Sequence, residues 1–120
     1  MPATQITEYD IGDVTVLNLS GHFVLGDGEP GLRNRFDALL ARGRMRVVLN
    51  LHDVTYIDSC GIGTLVEEFK RLRRGGGDLK LVCPSQRCEH VLALTHLLPL
   101  FELYESDDEA ARSLSRSLNG

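Results

Sequence analysis

The fold is decided between residues 47 and 65, which read VVLNLHDVTYIDSCGIGTL. The first part, Val47–Leu51, is an almost unbroken apolar run, which is typical of a strand covered on both faces in a parallel sheet. The turn-forming pair His52 and Asp53 follows, then a second apolar segment, Val54–Ile57, and after it a helical pattern begins. This order predicts a central strand that is followed almost at once by a helix.

Strand signals surround this segment on both sides. Ile6–Tyr9 and Val14–Leu19 are rich in β-branched and apolar residues and are separated by turn formers, so they predict a β-hairpin. Residues 22–31, with three glycines and a proline, are predicted to be irregular. Two later segments, Leu79–Cys83 and Phe101–Tyr104, predict two further strands.

Helices are indicated by apolar residues spaced three and four apart. Three such stripes are Leu32, Phe36, Leu39 and Leu40; Ile62, Leu65, Val66, Phe69 and Leu72; and Ala110, Leu114 and Leu118. Gly43 and the glycines at 75–77 mark the ends of the first two helices. Ser106 and Glu109 have the spacing of a capping box before the last one. Another helix is predicted from Ser85 to about Thr95.

The alternation of these elements defines the fold class. Strands that alternate with helices predict an α/β domain with a mixed sheet of four to five strands and helices packed against it. The chain has 120 residues, 42% of them hydrophobic and 25% charged, which fits a single domain over residues 1–120.

The composition argues against two classes of protein, those that bind nucleic acid and those that insert into a membrane. A net charge of −4 argues against nucleic acid binding, and no apolar run is long enough for membrane insertion. Three cysteines, an odd number, and a start without a secretion signal predict a cytoplasmic protein.

Two basic clusters stand out against this charge, one at Arg42, Arg44 and Arg46 and one across residues 70–74. We interpret the second cluster mainly as cations that complement a helix C-terminus, with contact to a partner as the secondary interpretation.

No cofactor and no metal are expected. The spacing of the candidate ligands matches no compact zinc pattern; they are Cys83, Cys88, His90 and His96. The four histidines are scattered, and none is placed beside Ser59 as a general base, so we do not expect an enzyme.

Ser59 is the candidate functional residue. It lies where a buried strand passes into a helix, and a helix start has unpaired N–H groups and a partial positive charge that can hold an anion. A phosphate on this hydroxyl would add about 1.5 to 2 negative charges beside Asp58. Gly61 and Gly63 remove side chains next to the serine, which would let another protein approach closely. The alternative is purely structural: Ser59 or Asp58 caps the helix, and the glycines allow close packing on the sheet.

The whole order of elements resembles the STAS family. Its signature is an apolar strand followed by Asp-Ser-Ser/Thr-Gly-Leu/Ile-Gly and a helix, and here the corresponding segment is DSCGIGTLV (residues 58–66). The turn at residues 19–21, the VVLNL strand, the GGGDLKLV segment and the apolar segment ending at Phe101 extend the resemblance over nearly the whole chain. It implies a STAS fold.

Within that family the chain is most similar to anti-sigma factor antagonists. The resemblance implies that the unmodified protein binds an anti-sigma factor that is itself a serine kinase, which frees the sigma factor. Phosphorylation at Ser59 would abolish this binding until a PP2C-type phosphatase restores it, in a bacterial cytoplasm. The implied switch and partner-binding residues around Ser59 are Asp58, Cys60, Gly61, Ile62 and Gly63.

The sequence departs from the family pattern at two places, and two other functions fit it. Cys60 replaces the usual serine or threonine, and residues 22–28 replace a shorter acidic loop, which points to a changed partner. The first alternative function is a STAS scaffold or accessory subunit of a stressosome-like or lipid-transport complex. The second is a small redox module that uses Cys60 at the helix start.

Overall fold

The structure, a computed structural model, describes residues 5–23, 29–82 and 103–119. Its elements in chain order are β1 (Gln5–Ile11), β2 (Val14–Phe23), α1 (Glu29–Ala41), β3 (Arg46–Ile57), α2 (Ser59–Arg74), β4 (Asp78–Val82), β5 (Leu103–Tyr104) and α3 (Asp107–Asn119). The strands form one five-stranded sheet in the order β1-β2-β3-β4-β5. The first pair is antiparallel and the others are parallel, so the predicted α/β class with a mixed sheet is confirmed.

Some predictions fall outside the described residues. These are the helix from Ser85 to Thr95, the strand residues Cys83 and Phe101, and the candidate metal ligands Cys83, Cys88, His90 and His96.

Alternate residues of the strands enter two separate core layers, one on each face of the sheet. The layer under α1 and α2 includes Leu17, Leu49, Leu81, Phe36 and Leu65. The layer under α3 includes Val16, Val48, Val82, Ala110 and Leu114. Since successive side chains of a strand point to opposite faces, the continuous apolar run of β3 fills both layers at once. The predicted central strand is confirmed.

The turn predicted at His52 and Asp53 is wrong, because β3 continues through both residues. The turn-forming residues instead produce an irregularity in the parallel pairing with β2. The register shifts between Asn18 and Ser20, where β3 accommodates one more residue than β2. The side chain of Asn50 accepts a hydrogen bond from the amide of His52 at 2.8 Å, a local bond typical of turns that here bends the strand without reversing it.

β2 is longer than its sequence pattern predicts. It extends to Phe23, and α1 begins at Glu29, so the irregular structure predicted for residues 22–31 is wrong at both ends of that stretch, and residues 24–28 lie outside the described residues. The extension pairs with the far end of β3, His22 with Tyr56 and Phe23 with Ile57. Gly21 has φ of 91°, a conformation that favours glycine, and it lies at the second register shift. Tertiary pairing therefore overrides the local turn signals.

The helix ends agree with the sequence. Gly43 ends α1 with φ of 73°, and Gly76 follows α2 with φ of 91°. At Gly77 a side chain is excluded for a different reason, since a Cβ there would overlap the carbonyl oxygen of Met45. The amide of Glu109 donates to the Ser106 hydroxyl at 3.2 Å, which confirms Ser106 as the cap of α3.

Asp107, at the start of α3, ties this helix to the sheet. One carboxylate oxygen accepts a hydrogen bond from Asn50 Nδ2 of β3 at 2.8 Å, and the other accepts one from the hydroxyl of Tyr9 on β1. Burial and this hydrogen bond raise the pKa of Tyr9 to about 12.

We expect Asp107→Ala to lower the free energy of unfolding by about 1 to 2 kcal/mol, because it removes both charge-assisted hydrogen bonds. Asp108→Ala is the matched control, since it removes an exposed acidic residue from the same helical turn. Urea unfolding measures both. Equal losses would mean that only the charge at the helix start matters.

The raised pKa of Tyr9 predicts a loss of stability in alkaline solution. The contribution of its protonated hydroxyl is complete below about pH 10, the value for an unfolded tyrosine, and is lost as the pH rises through 12. The stability advantage of the wild type over Tyr9→Phe should therefore shrink between pH 10 and 12 in urea unfolding, relative to the control Tyr56→Phe, which changes a second exposed tyrosine. A constant difference over this range would contradict the assignment.

Candidate functional site

The site is the junction between β3 and α2, where the chain leaves the buried strand and reaches the surface. Ile57, the last residue of β3, is 8% exposed, and Ile62 is 6% exposed in the core under α2. The residues between them are held from both sides by buried neighbours. The position of Ser59 is thus fixed by the core on either side of it.

Asp58 is the N-cap of α2. It has extended backbone angles, φ −102° and ψ −178°, and its Oδ1 accepts a hydrogen bond from the amide of Gly61 at 2.8 Å. Its carbonyl oxygen accepts the next amide, from Ile62, at 3.0 Å. The capping role that the sequence left open between Asp58 and Ser59 therefore belongs to Asp58.

Ser59 is the first residue of the helix, and it is exposed, as is Cys60. The side chain of a capping residue accepts a hydrogen bond from a free amide of the first helical turn, and here Asp58, not Ser59, accepts that bond. Its amide and that of Cys60 come before the first amides that can find an acceptor within the helix. Because Asp58 occupies the Gly61 amide, an anion at this point meets fewer free donors than at an uncapped helix start.

The other predicted residues divide into a supporting and a surface group. Gly61 and Ile62 are buried and hold the helix start on the sheet. Gly63 is exposed, and a Cβ at this position would meet nothing within 4 Å. Gly63 therefore keeps the surface beside Ser59 low and is not required for packing on the sheet.

An aromatic pair that is not among the predicted site residues lies next to this surface. Tyr56, three residues before Ser59, is 57% exposed, and its ring packs edge to face against His22 at 6.2 Å between ring centres. The signal was the alternation of β3, which turns Tyr56 away from the layer that receives Ile57. An exposed aromatic side chain of this size is the type of residue that anchors protein interfaces.

The two basic clusters of the sequence have different surroundings. The first is neutralised by the β1–β2 hairpin, with Arg42 on Glu8 at 3.1 Å, Arg44 on Asp10 at 2.8 Å, and Arg46 on Asp13. The second lies at the opposite end of α2 from Ser59 and is only partly paired. No helix among the described residues is long and apolar enough to cross a bilayer.

The chain is similar in sequence to a known family and to named proteins. The sequence model of the family described as "STAS domain" matches residues 5–110. A Thermotoga maritima protein named as an anti-sigma factor antagonist is 36% identical over 81 residues, which cover 68% of this chain and 72% of that protein. The anti-sigma-B factor antagonist of Bacillus subtilis is 35% identical over 75 residues, which cover 62% of this chain and 67% of that protein.

A solved structure agrees with the fold. The crystal structure of an antagonist of the same name from Thermotoga maritima superposes with a TM-score of 0.80 and 28% identity, over 92% of this chain and 94% of that one. The similarity therefore extends over nearly all of both chains.

The capping role of Asp58 predicts a specific pattern of stability. Asp58→Ala should lower the free energy of unfolding by about 1 kcal/mol, because the Gly61 amide loses its acceptor. Asp58→Asn should cost only a few tenths of that, since asparagine caps equally well. Thermal and urea unfolding test the pair, and a loss in Asp58→Asn as large as in Asp58→Ala would show that the charge, not the cap, is what stabilises the junction.

Proposed function

The chain belongs to the STAS domain family, and on that premise we propose that it is an anti-sigma factor antagonist controlled by phosphorylation of Ser59. In its unmodified form it binds a kinase-type anti-sigma factor and so frees a sigma factor for transcription. The observation that carries the proposal is the exposed Ser59 at the first position of α2, in the Asp-Ser-x-Gly-x-Gly context of the family. Curated relatives named as antagonists support the choice within the family.

The placement of Ser59 suits a residue that an outside enzyme modifies. Its side chain is exposed, Gly63 leaves open space beside it, and the cap of the helix does not depend on it. A partner's active site can therefore reach the hydroxyl without unfolding the helix start. In this role Ser59 is a substrate, and the chain acts as a binding protein and not as an enzyme.

The added phosphate would disrupt an interface more than the fold. The first turn of α2 contains no acidic residue, and negative charge is favourable at a helix N-terminus. Buried against a partner, however, a dianion costs several kcal/mol unless cations match it. A loss of only 1.4 kcal/mol already weakens binding about tenfold. A PP2C-type phosphatase would reverse the change by removing the phosphate.

The proposal predicts that Ser59→Asp binds a kinase-type anti-sigma factor at least about tenfold more weakly than Ser59→Ala. Isothermal titration with the purified anti-sigma factor measures both affinities. Ser106→Asp is the matched control, because Ser106 is also an exposed serine at a helix start and the change adds the same charge. The stability of Ser59→Asp should stay within about 0.5 kcal/mol of the wild type.

Equal affinities for Ser59→Ala and Ser59→Asp would refute the switch. In that case a chain that co-purifies with the same partner in both variants would be a fixed subunit of a larger STAS assembly. Phosphorylation itself can be measured by mass spectrometry after each variant is incubated with the anti-sigma factor and ATP. The anti-sigma factor should add phosphate to the wild type and not to Ser59→Ala.

A further inference from the structure

The exposed face of α2 connects Ser59 to the second basic cluster. Five exposed residues follow one another along this face at intervals of three and four: Ser59, Gly63, Glu67, Lys70 and Arg74. At 3.6 residues per turn they fall within about 80° of one another around the helix axis. A protein that lies along α2 and reaches Ser59 would therefore also meet Lys70 and Arg74.

The far end of this face is a charged groove between α1 and α2. Its volume is about 310 Å³, and its lining consists of charged side chains, Arg33, Glu67, Glu68, Lys70, Arg71 and Arg74. Four of the six are cations. The groove is thus positive on a chain whose net charge is −4.

Two of the groove's cations are already committed to carboxylates. Arg33 pairs with Glu67 at 2.7 Å, and Arg71 pairs with Asp37 and with the buried Glu68. Burial raises the pKa of Glu68 although the nearby Arg71 opposes this. These pairs hold α1 to α2, which is a structural role.

Lys70 and Arg74 differ from the rest of the cluster. Both are exposed, and neither forms an ion pair or a hydrogen bond with any residue in 5–23, 29–82 or 103–119. The helix dipole explains cations only in the last turn, where Arg74 lies but Lys70 does not. Ion pairs therefore account for the first basic cluster and for Arg71, whereas Lys70 and Arg74 have no pairing partner among the described residues, and the helix dipole favours only the charge of Arg74.

We propose that Lys70 and Arg74 bind an acidic segment of the anti-sigma partner, so that the interface extends along the whole exposed face of α2. This inference rests on the proposed function. Residues four apart on a helix lie about 6 Å apart, which matches two carboxylates one turn apart on a partner helix. Two free cations on an acidic chain suit a few carboxylates better than a nucleic acid backbone, which typically engages about 6 to 10 phosphate contacts.

The distances fit a single interface. Ser59 and Arg74 are 15 positions apart, or about 22 Å along the helix. A standard interface covers about 800 Å² on each partner, which is wide enough to include both. Phosphorylation at Ser59 leaves the far end unchanged, so these cations act mainly on the rate of encounter and Ser59 acts on the lifetime of the complex.

The test is the association rate of the full chain with the kinase-type anti-sigma factor, measured by stopped flow at several salt concentrations. Lys70→Gln/Arg74→Gln should associate about tenfold more slowly at low salt, and the difference should fall below about twofold near 0.5 M salt. Arg42→Gln/Arg112→Gln is the matched control, because both double variants change the net charge from −4 to −6 and the control residues lie elsewhere. Equal rates for the two double variants would overturn the proposal.

A separate probe distinguishes this failure from failure of the proposed function. If the wild type binds no kinase-type anti-sigma factor, a labelled ten-residue polyglutamate peptide still tests the groove by fluorescence anisotropy. The proposal then requires at least about fivefold weaker peptide binding by Lys70→Gln/Arg74→Gln than by the control. Equal peptide binding, preference for an RNA oligonucleotide, or self-association of the chain through the acidic corner at Glu105, Asp108 and Glu109 would each contradict it.

Discussion

The burial of β3 on both faces is the constraint on which the rest of the structure depends. Val47, Leu49 and Leu51 point into the layer under α1 and α2, whereas Val48 points into the layer under α3. Because side chains alternate along a strand, a shift of one residue would exchange the two layers and bring Asn50 into the wrong one. The register of β3 is therefore fixed, and so is the point at which the chain leaves the sheet. The exposure of Ser59 follows from core packing two residues away.

At that point, the residue that caps the helix and the proposed phosphorylation site are neighbours in the chain. Asp58 satisfies the Gly61 amide, which leaves the Ser59 hydroxyl without a structural task. A serine that capped the helix itself would lose its hydrogen bond on esterification, and the modification would then act on the fold. With the cap one residue earlier, a phosphate changes the surface while the helix start keeps its own stabilising contact. In the proposed switch, a change of charge at Ser59 would therefore control binding with little effect on stability.

Much of the fold could be predicted from the sequence, because its main signals are local and periodic. The hairpin, the buried central strand, the glycine stops and the helical stripes agree with the structure, except that the side chain of Leu118 lies outside the described part of the chain. The errors occurred where pairing overrides local chemistry. His52 and Asp53 are turn formers, but β2 holds them in a bent strand, and the same pairing extends β2 to Phe23. At the site, the sequence predicts Ser59 as the functional residue, which stays a prediction, and it does not decide which residue caps the helix, since Asp and Ser both favour that position.

The sequence does not predict which basic residues form ion pairs, because their partners are distant in the chain. The two basic clusters look alike in the chain, yet one is neutralised by acidic residues more than 30 positions away on β1 and the β1–β2 turn, whereas part of the other faces solvent. In the proposed complex this difference gives the two ends of α2 separate tasks. The end that carries Ser59 changes its charge, and the end that carries Lys70 and Arg74 does not. The cationic end would still attract an acidic partner while Ser59 is phosphorylated, so the association rate would stay nearly the same. Dephosphorylation would then only have to restore the lifetime of the complex.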